Sequence, residues 1–188
     1  MSKINHRSSF QQGDLDMLCG VYSVLNIIQL LRPKSKSESR KLFRKILRCL
    51  EKSKQQNLSR TMTTGLTFKD MRQLFTAFLS KENLCWELPF HGKVKPDIHQ
   101  YWSTLNQLLD SHEMGCVFIR LTGTHNHWTI VRAMTENTLT LYDSDKLFRI
   151  HRKNCEIKSK ETSQAHLLWP ANTVIIYRKD QNAIYENS

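Results

Sequence analysis

The sequence predicts an α+β domain in which helices come first and an antiparallel sheet follows. Apolar residues recur at helical spacing through the first half of the chain, and from Gly115 onward they alternate as in strands. This order favours an α+β class over a doubly wound fold. A chain of 188 residues is long enough for one domain with a proper core. We therefore expect one domain over 1–188, with a helical part over 17–112, a sheet part over 115–178 and a frayed tail at 179–188.

Two long helices are predicted at the start of the helical part. The first covers residues 17–31, because apolar side chains recur every three or four positions until Pro33 stops the helix. The second covers residues 37–52 and is amphipathic, since its apolar face is opposed by a strongly basic one. The basic side chains of this second helix are Lys41, Arg44, Lys45, Arg48 and Lys52.

Two further helices are predicted before the sheet. Thr67, followed three positions later by an aspartate, is typical of a helix N-cap, and the helix that begins there extends to Leu79. Pro96 begins the other, which ends near His112. The intervening stretch "NLSRTMTTG" (57–65) is predicted to be a loop.

The sheet part contains four predicted strands, each a short run rich in β-branched and aromatic residues. The turn "ENT" joins the second strand to the third, so these two are expected to form a hairpin. The four strands cover 115–121, 127–134, 138–143 and 172–178.

The net charge of +11 is concentrated in one segment of the chain. Residues 32–60 contain eleven lysines and arginines and two glutamates, which accounts for +9 and leaves +2 for the rest. The basic helix in this segment is either a solvated face over a packed apolar side or a surface that docks on an acidic protein or an anionic membrane. Nucleic acid is not favoured, because neither interleaved aromatic residues nor a known binding module is present.

The N-terminus and the cysteines indicate a cytoplasmic protein. No apolar run reaches the roughly 18 residues that a membrane-spanning helix needs, and the first residues lack the apolar core of a secretory signal. Five cysteines are scattered without a CxxC pair, which argues against a disulfide framework. We therefore expect a reducing compartment, either the cytoplasm of the producing cell or, for a secreted effector, the cytosol of a host.

Three side chains at the ends of predicted elements indicate a nucleophilic site. Cys19 lies where the first helix begins, and the N-terminus of a helix favours a thiolate over a thiol. His127 begins one strand and Asp143 ends the next, so the hairpin is expected to bring the acid close to the imidazole. An acid there can hold the imidazole in one tautomer, and the imidazole can activate the thiol. The pattern predicts a Cys–His–Asp triad for acyl transfer.

Acyl transfer also needs hydrogen-bond donors for an oxyanion. The backbone N–H of Cys19 is one such donor, and the side-chain amide of Gln12 or Gln11 is placed to supply the second. Gly20, directly after the thiol, is expected to leave room for the backbone of a substrate. We expect this chemistry to need neither a metal nor a cofactor.

Two members of the triad have competitors in the sequence. His125 lies two positions before His127, but the histidine that adjoins the strand is better fixed in space. Asp145 competes with Asp143 and is expected in a turn, whereas Asp143 has the strand parity that points toward His127. The two histidines could instead bind zinc with Cys19, although a third ligand would have to come from far away. The other cysteines are expected to fill the core: Cys49, Cys85, Cys116 and Cys155.

The stretches "QGDLDMLCGVYSVLN", "HWTIV" and "LYDSD" together resemble the papain-like cysteine peptidases. In that superfamily the order is Gln, Cys, His and then Asp or Asn, with the cysteine leading the central helix and the histidine on the sheet. The step of 16 positions from His127 to Asp143 resembles compact bacterial members, such as bacteriocin-leader peptidases and papain-like effectors. The spacing from Gln12 to Cys19 is slightly longer than in papain itself, and residues 35–112 carry no matching motif.

The resemblance implies a papain-like fold and the hydrolysis of a peptide or isopeptide bond in a protein or peptide substrate. It implies Cys19 as the nucleophile, His127 as general base and then acid, Asp143 as the group that orients His127, and Gln12 as the oxyanion donor. An acyltransferase, a deamidase or a ubiquitin-like deconjugase on the same triad stays open. So does a catalytically silent protein that binds through its basic helix. An NlpC-type peptidoglycan endopeptidase ranks last, because its histidine usually follows the cysteine more closely.

Overall fold

The computed structural model describes residues 8–13, 16–52, 58–92, 95–158 and 164–179. The α-helices of the described residues are α1 (Cys19–Leu31), α2 (Lys36–Lys52), α3 (Leu58–Thr64), α4 (Phe68–Leu74) and α5 (Ile98–Ser111). Thr67 caps α4 through a capping box with Asp70. A short π-helical segment, Phe75–Leu79, continues α4, so that this helical stretch reaches Leu79 as expected.

The strands of the described residues are β1 (Leu84–Glu87), β2 (Gly115–Gly123), β3 (His127–Thr135), β4 (Thr138–Leu141), β5 (Arg149–His151), β6 (Cys155–Ile157), β7 (His166–Leu168) and β8 (Val174–Arg178). They form one sheet in the order β1-β8-β2-β3-β4-β5, and every neighbouring pair on this path is antiparallel. Strand β7 also pairs with β2, and β6 pairs with β7 in parallel.

The sheet separates two hydrophobic clusters. Because successive side chains of a strand point to opposite faces, Phe118 of β2 belongs to the cluster that contains α1, whereas its neighbours Val117 and Ile119 belong to the cluster that contains Tyr101 of α5. Helix α1 is buried at 12 of its 13 positions, so it is a central element. The fold is therefore α+β, with N-terminal helices packed on a C-terminal antiparallel sheet.

Some element predictions are confirmed and others are wrong. The helices expected around α1, α2, α4 and α5, and the strands expected around β2, β3, β4 and β8, all form. The predicted loop at 57–65 instead contains α3, and β1 lies inside the predicted helical part, where it pairs with β8. Strand β4 ends at Leu141, so Asp143 follows the strand. Most of the predicted tail, 180–188, lies outside the described residues.

The elements that the sequence pattern missed are short. Strand β1 is the four-residue stretch "LCWE", and β5, β6 and β7 have three residues each, which is too few for alternation to be recognised. Each forms because a neighbouring strand supplies hydrogen-bond partners; Cys85 of β1, for example, lies opposite Tyr177 of β8.

Candidate active site

The thiol of Cys19 lies at the first residue of α1. Leu18 occupies the N-cap position without a side-chain cap, and its own N–H donates to Oδ1 of Asp16 over 3.0 Å. The same carboxylate accepts the N–H of Gly13, also over 3.0 Å. Cys19 is 5% exposed, which leaves only a small part of the residue accessible. The helix start therefore holds the thiol at a fixed point next to the free N–H groups of the first turn.

His127 joins the thiol to the acid. Its Nε2 atom lies 2.7 Å from Oδ2 of Asp143, in a pair whose side chains are 6% and 0% exposed. The side chain of Cys19 also interacts with His127 and is one of the groups that raise the pKa of its imidazole. Because Nε2 faces the carboxylate, Nδ1 is the ring nitrogen that remains for the thiol. The structure thus brings together the cysteine, the histidine and the aspartate that the sequence predicted.

The environment of this pair favours its charged form. Burial alone would lower the pKa of His127, but its hydrogen bond to Asp143, its interaction with the Cys19 side chain and the charges of both groups outweigh burial and raise it to about 10. Burial alone would raise the pKa of the Asp143 carboxyl, but its hydrogen bond and charge interaction with His127, together with the nearby Thr129 side chain and the N–H of Asp145, outweigh this and lower it. The imidazolium and the carboxylate stabilise each other.

Asp143 is itself held in place by the loop that follows β4. Its Oδ1 atom accepts the N–H of Asp145 over 2.6 Å and the N–H of Leu147 over 3.2 Å, which leaves Oδ2 for His127. Asp145 is exposed and belongs to this loop, so Asp143 is the aspartate that contacts the imidazole. Strand parity, which was expected to point Asp143 toward His127, does not apply, because Asp143 lies after the end of β4. The N–H groups of the loop set the direction of its side chain instead.

The two glutamines of the N-terminal segment make different contacts. The Nε2 group of Gln11 donates to the hydroxyl of Ser9 over 2.8 Å and to the backbone carbonyl of Asp143 over 3.0 Å. Gln12 donates its backbone N–H to the carbonyl of Ser144 over 2.9 Å, and its Oε1 accepts the Ser144 hydroxyl over 3.4 Å. The amide N–H groups of Gln11 are therefore occupied, whereas Gln12 is joined to the loop that carries Asp143 through its backbone N–H and its Oε1.

An asparagine that the sequence reasoning missed anchors this segment. Asn26 of α1 is fully buried, and its Oδ1 accepts the N–H of Phe10 over 2.7 Å while its Nδ2 donates to the carbonyl of Phe10 over 3.1 Å. Ser9 adds a bond from its hydroxyl to the carbonyl of Asp143 over 2.6 Å. A polar residue inside the apolar run "SVLNII" was the signal that could have identified Asn26, because a buried amide needs partners.

His125 lies in a different environment from His127. Its ring stacks on that of His166 with the centroids 5.6 Å apart, and burial, together with the neighbouring imidazole, lowers the pKa of His166. No group of three or more His, Cys, Asp or Glu side chains suited to hold a metal ion exists within the described residues. The two histidines therefore have separate partners.

Gly20 does not provide space for a substrate. A Cβ atom at this position would lie 2.7 Å from Sδ of Met71 and 3.0 Å from Cδ1 of Leu66, both of which are buried. The expectation for Gly20 is thus wrong, because the residue faces the helical packing around α4. The indole N–H of Trp128 donates to the carbonyl of Leu66 over 2.9 Å, and its ring stacks on Phe118, so Trp128 is part of the same core.

The remaining cysteines are not all in the core. Cys116 is fully buried and burial raises its pKa, and the same cause raises the pKa of Cys155 to about 12. Cys85 is half-buried, and Cys49 is exposed on α2, so the prediction of a core position is wrong for Cys49. All five predicted basic side chains of α2 are exposed as well.

No protein-family model and no curated protein matches the chain. In the part of the chain that the structure describes, no helix is both long enough and apolar enough to span a membrane. The assignment of a function therefore rests on the chemistry of the residues themselves.

Proposed function

We propose that this chain is a papain-like cysteine peptidase that hydrolyses a peptide or isopeptide bond through Cys19, His127 and Asp143. The buried 2.7 Å contact between His127 and Asp143 carries the proposal, since the same imidazole also interacts with a thiol at a helix start. The order of these residues along the chain and the packing of α1 on the sheet support the papain-like assignment. No metal or cofactor enters the reaction that we propose.

The first half of the reaction forms a thioester. The thiolate of Cys19 attacks the carbonyl carbon of the scissile bond, and the negative charge moves to the carbonyl oxygen. The backbone N–H of Cys19 and the amide of Gln12 are the donors that we assign to this oxyanion. As the C–N bond breaks, the imidazolium of His127 gives its proton to the leaving nitrogen, which departs as an amine. An acyl group then remains on sulfur.

The second half of the reaction restores the thiol. Neutral His127 takes a proton from water, the oxygen attacks the thioester carbonyl, and the C–S bond breaks to release a carboxylic acid. Asp143 accepts a hydrogen bond from His127 throughout, which keeps the same ring nitrogen facing sulfur. Asp143 is therefore a positioning residue in this scheme, and Cys19 and His127 are the catalytic residues.

The proposal is tested by the rate at which iodoacetamide alkylates each cysteine between pH 5 and 9, followed by peptide mass spectrometry. Cys49 is an internal control, because it is exposed and lies on a different helix. At pH 6 an ordinary thiol, with a pKa of about 8.5, is almost fully protonated and reacts slowly. We expect Cys19 to react at least about tenfold faster than Cys49 at this pH, and to lose that advantage in His127→Ala.

A slower reaction of Cys19 than of Cys49 at every pH would refute a nucleophilic role for Cys19. If Cys19 is reactive, wild-type protein and Cys19→Ala are incubated with peptide mixtures and with ubiquitin-like conjugates. Product masses then identify the reaction, since hydrolysis of a peptide bond splits the substrate whereas deamidation adds about one mass unit and acyl transfer joins two molecules. Products that form equally with Cys19→Ala would contradict the proposal.

A further inference from the structure

A polar pocket with a volume of about 430 Å³ lies between the segment that links α3 to α4 and the β2 residue Arg120. The cationic residues of its lining are Arg60, Lys69 and Arg120, and Thr64 and Thr67 add hydroxyl groups. The proposed reaction uses none of these side chains. The pocket is therefore a separate feature of the molecule.

The wall of this pocket contacts the segments that carry both Cys19 and His127. The N–H of Met17, two residues before the thiol, donates over 2.9 Å to the carbonyl of Met62 in α3, the helix that carries the lining residues Thr61 and Thr64. The indole of Trp128, directly after His127, donates to the carbonyl of Leu66 over 2.9 Å. A chain bound at the thiol can therefore reach the pocket within a few residues, because an extended chain advances about 3.3 Å per residue.

The charges in the pocket favour an anion. Among the described residues of its lining, three are cationic and one, Asp70, is anionic. The carboxylate of Asp70 already accepts the N–H of Thr67 over 2.9 Å and its hydroxyl over 2.6 Å. The net charge of the lining is thus +2. A carboxylate that enters would meet donors on opposite walls.

Arg120 is fixed in one orientation in the wall of this pocket. Its guanidinium carbon lies 4.9 Å from the centre of the Trp128 ring and 5.5 Å from that of Trp169. One terminal nitrogen donates to Oδ1 of Asn126 over 3.3 Å, whereas Nε is buried and, within the described residues, donates to no acceptor. The side chain is therefore held between two indoles with hydrogen-bonding capacity left over.

We infer that this pocket binds a carboxylate of the substrate, so that the enzyme prefers peptides with an acidic group a few residues from the bond that Cys19 attacks. The inference rests on the proposed thiol chemistry and adds the substrate class. Arg60 and Lys69 supply exposed charges in the lining of the pocket, and Arg120 supplies one held between two indoles. The carboxylate belongs either to a Glu or Asp side chain or to the C-terminus of the substrate.

The test uses short peptides that carry an alkylating group, either bromoacetyl at the N-terminus or chloromethyl ketone at the C-terminus. Cys19 displaces the halide and forms a thioether, so each rate measures how well a peptide docks beside the thiol. Matched peptides differ only by Glu or Gln at the first, second or third residue from the reactive group. A further bromoacetyl pair ends in a free carboxylate or an amide, which distinguishes the two sources. Iodoacetamide is measured on every protein to normalise the rates.

We expect the wild-type protein to prefer the anionic member of at least one matched pair by about tenfold. The double variant Arg60→Gln/Lys69→Gln is expected to lose this preference, whereas Lys45→Gln/Arg48→Gln, which removes the same charge from exposed positions of α2, is expected to keep it. Arg120 is left unchanged, because the two indoles pack on it and its removal would disturb the core.

Equal rates for the anionic and neutral members of every pair, with a fast iodoacetamide reaction at Cys19, would overturn the carboxylate pocket and leave the nucleophile intact. A preference that survives in Arg60→Gln/Lys69→Gln but disappears in Lys45→Gln/Arg48→Gln would also overturn it, because α2 would then be the source of selectivity. A slow iodoacetamide reaction at Cys19 would instead refute the proposed function, on which this inference depends.

Discussion

The two halves of the candidate site are built in different ways. The half that contains His127 and Asp143 belongs to one continuous stretch of chain, since the hairpin of β3 and β4 leads directly into the loop that holds the acid. The half that contains Gln12 belongs to a segment, 8–13, without helix or strand, which is anchored by Asn26 and by the carbonyls of Asp143 and Ser144.

In one half of the site the backbone sets the positions of the functional groups, and in the other half individual side chains set them. The register of β3 against β2 places His127 opposite Leu121, and the N–H groups of the loop after β4 set the direction of Asp143. The N-terminal segment has contacts with residues more than 100 positions away, and several of them are made by single side chains. The histidine–aspartate half should therefore tolerate changes in the segment, whereas the glutamine half should be sensitive to individual hydrogen bonds.

The largest expected effect comes from removing the acid. We expect Asp143→Ala to lower the rate of the Cys19-dependent reaction by about 10³–10⁴-fold, because the imidazole loses the group that fixes its tautomer. The variant should also lose about 3–5 kcal/mol of unfolding free energy, since a buried charge pair loses one partner. Single-turnover acylation kinetics and urea denaturation measure the two effects.

Asp145→Ala is the matched control for this change. Asp145 is an exposed aspartate of the same loop and contributes its backbone N–H, which alanine retains. We expect less than about 0.5 kcal/mol of change in stability, as for most surface positions. A loss of activity in Asp145→Ala as large as that in Asp143→Ala would show that the loop, and not the carboxylate, is what the site requires.

A smaller effect is expected in the N-terminal half. Gln12→Ala should lower the acylation rate by about 10²–10³-fold, the usual consequence of removing one oxyanion donor. Gln11→Ala should instead lower stability by about 1 kcal/mol, because Gln11 uses its amide to hold the carbonyl of Asp143. The comparison of the two variants in the same acylation assay distinguishes a donor to the oxyanion from a structural contact. The opposite order of effects would assign the oxyanion to Gln11.

Features that depend on short stretches of the chain could be predicted from the sequence, and features that depend on contacts between distant stretches could not. The order of helices and strands, and the association of Cys19, His127 and Asp143, could be predicted because helical periodicity and a hairpin leave signals within short stretches. A polar residue in an apolar run indicates that Asn26 needs hydrogen-bond partners, but the partner itself could not be predicted, because Phe10 lies in a segment without periodicity. Gly20 was misjudged for a similar reason: its neighbours Leu66 and Met71 come from α4 and the loop before it, a contact that no local pattern contains.

The weakest expected effect is a dependence of stability on pH that only the histidine–aspartate half should produce. The raised pKa of His127, about 10, contributes stability that is complete below about pH 6.5 and is lost as the pH rises toward 10. The lowered pKa of Asp143 contributes stability that is present above about pH 4 and is lost as the pH falls further. The pair should therefore stabilise the fold most between about pH 4 and 6.5.

The double variant His127→Gln/Asp143→Asn, in which neither group titrates, isolates this contribution. We expect the difference in unfolding free energy between the wild-type protein and the double variant to decrease by about 1–3 kcal/mol from pH 6 to pH 9 in denaturant titrations. Gln12→Ala should follow the wild-type curve, because Gln12 carries no titrating group. A difference that is flat across this range would mean that folding does not raise the pKa of His127, and the proposed ion pair with Asp143 would be contradicted.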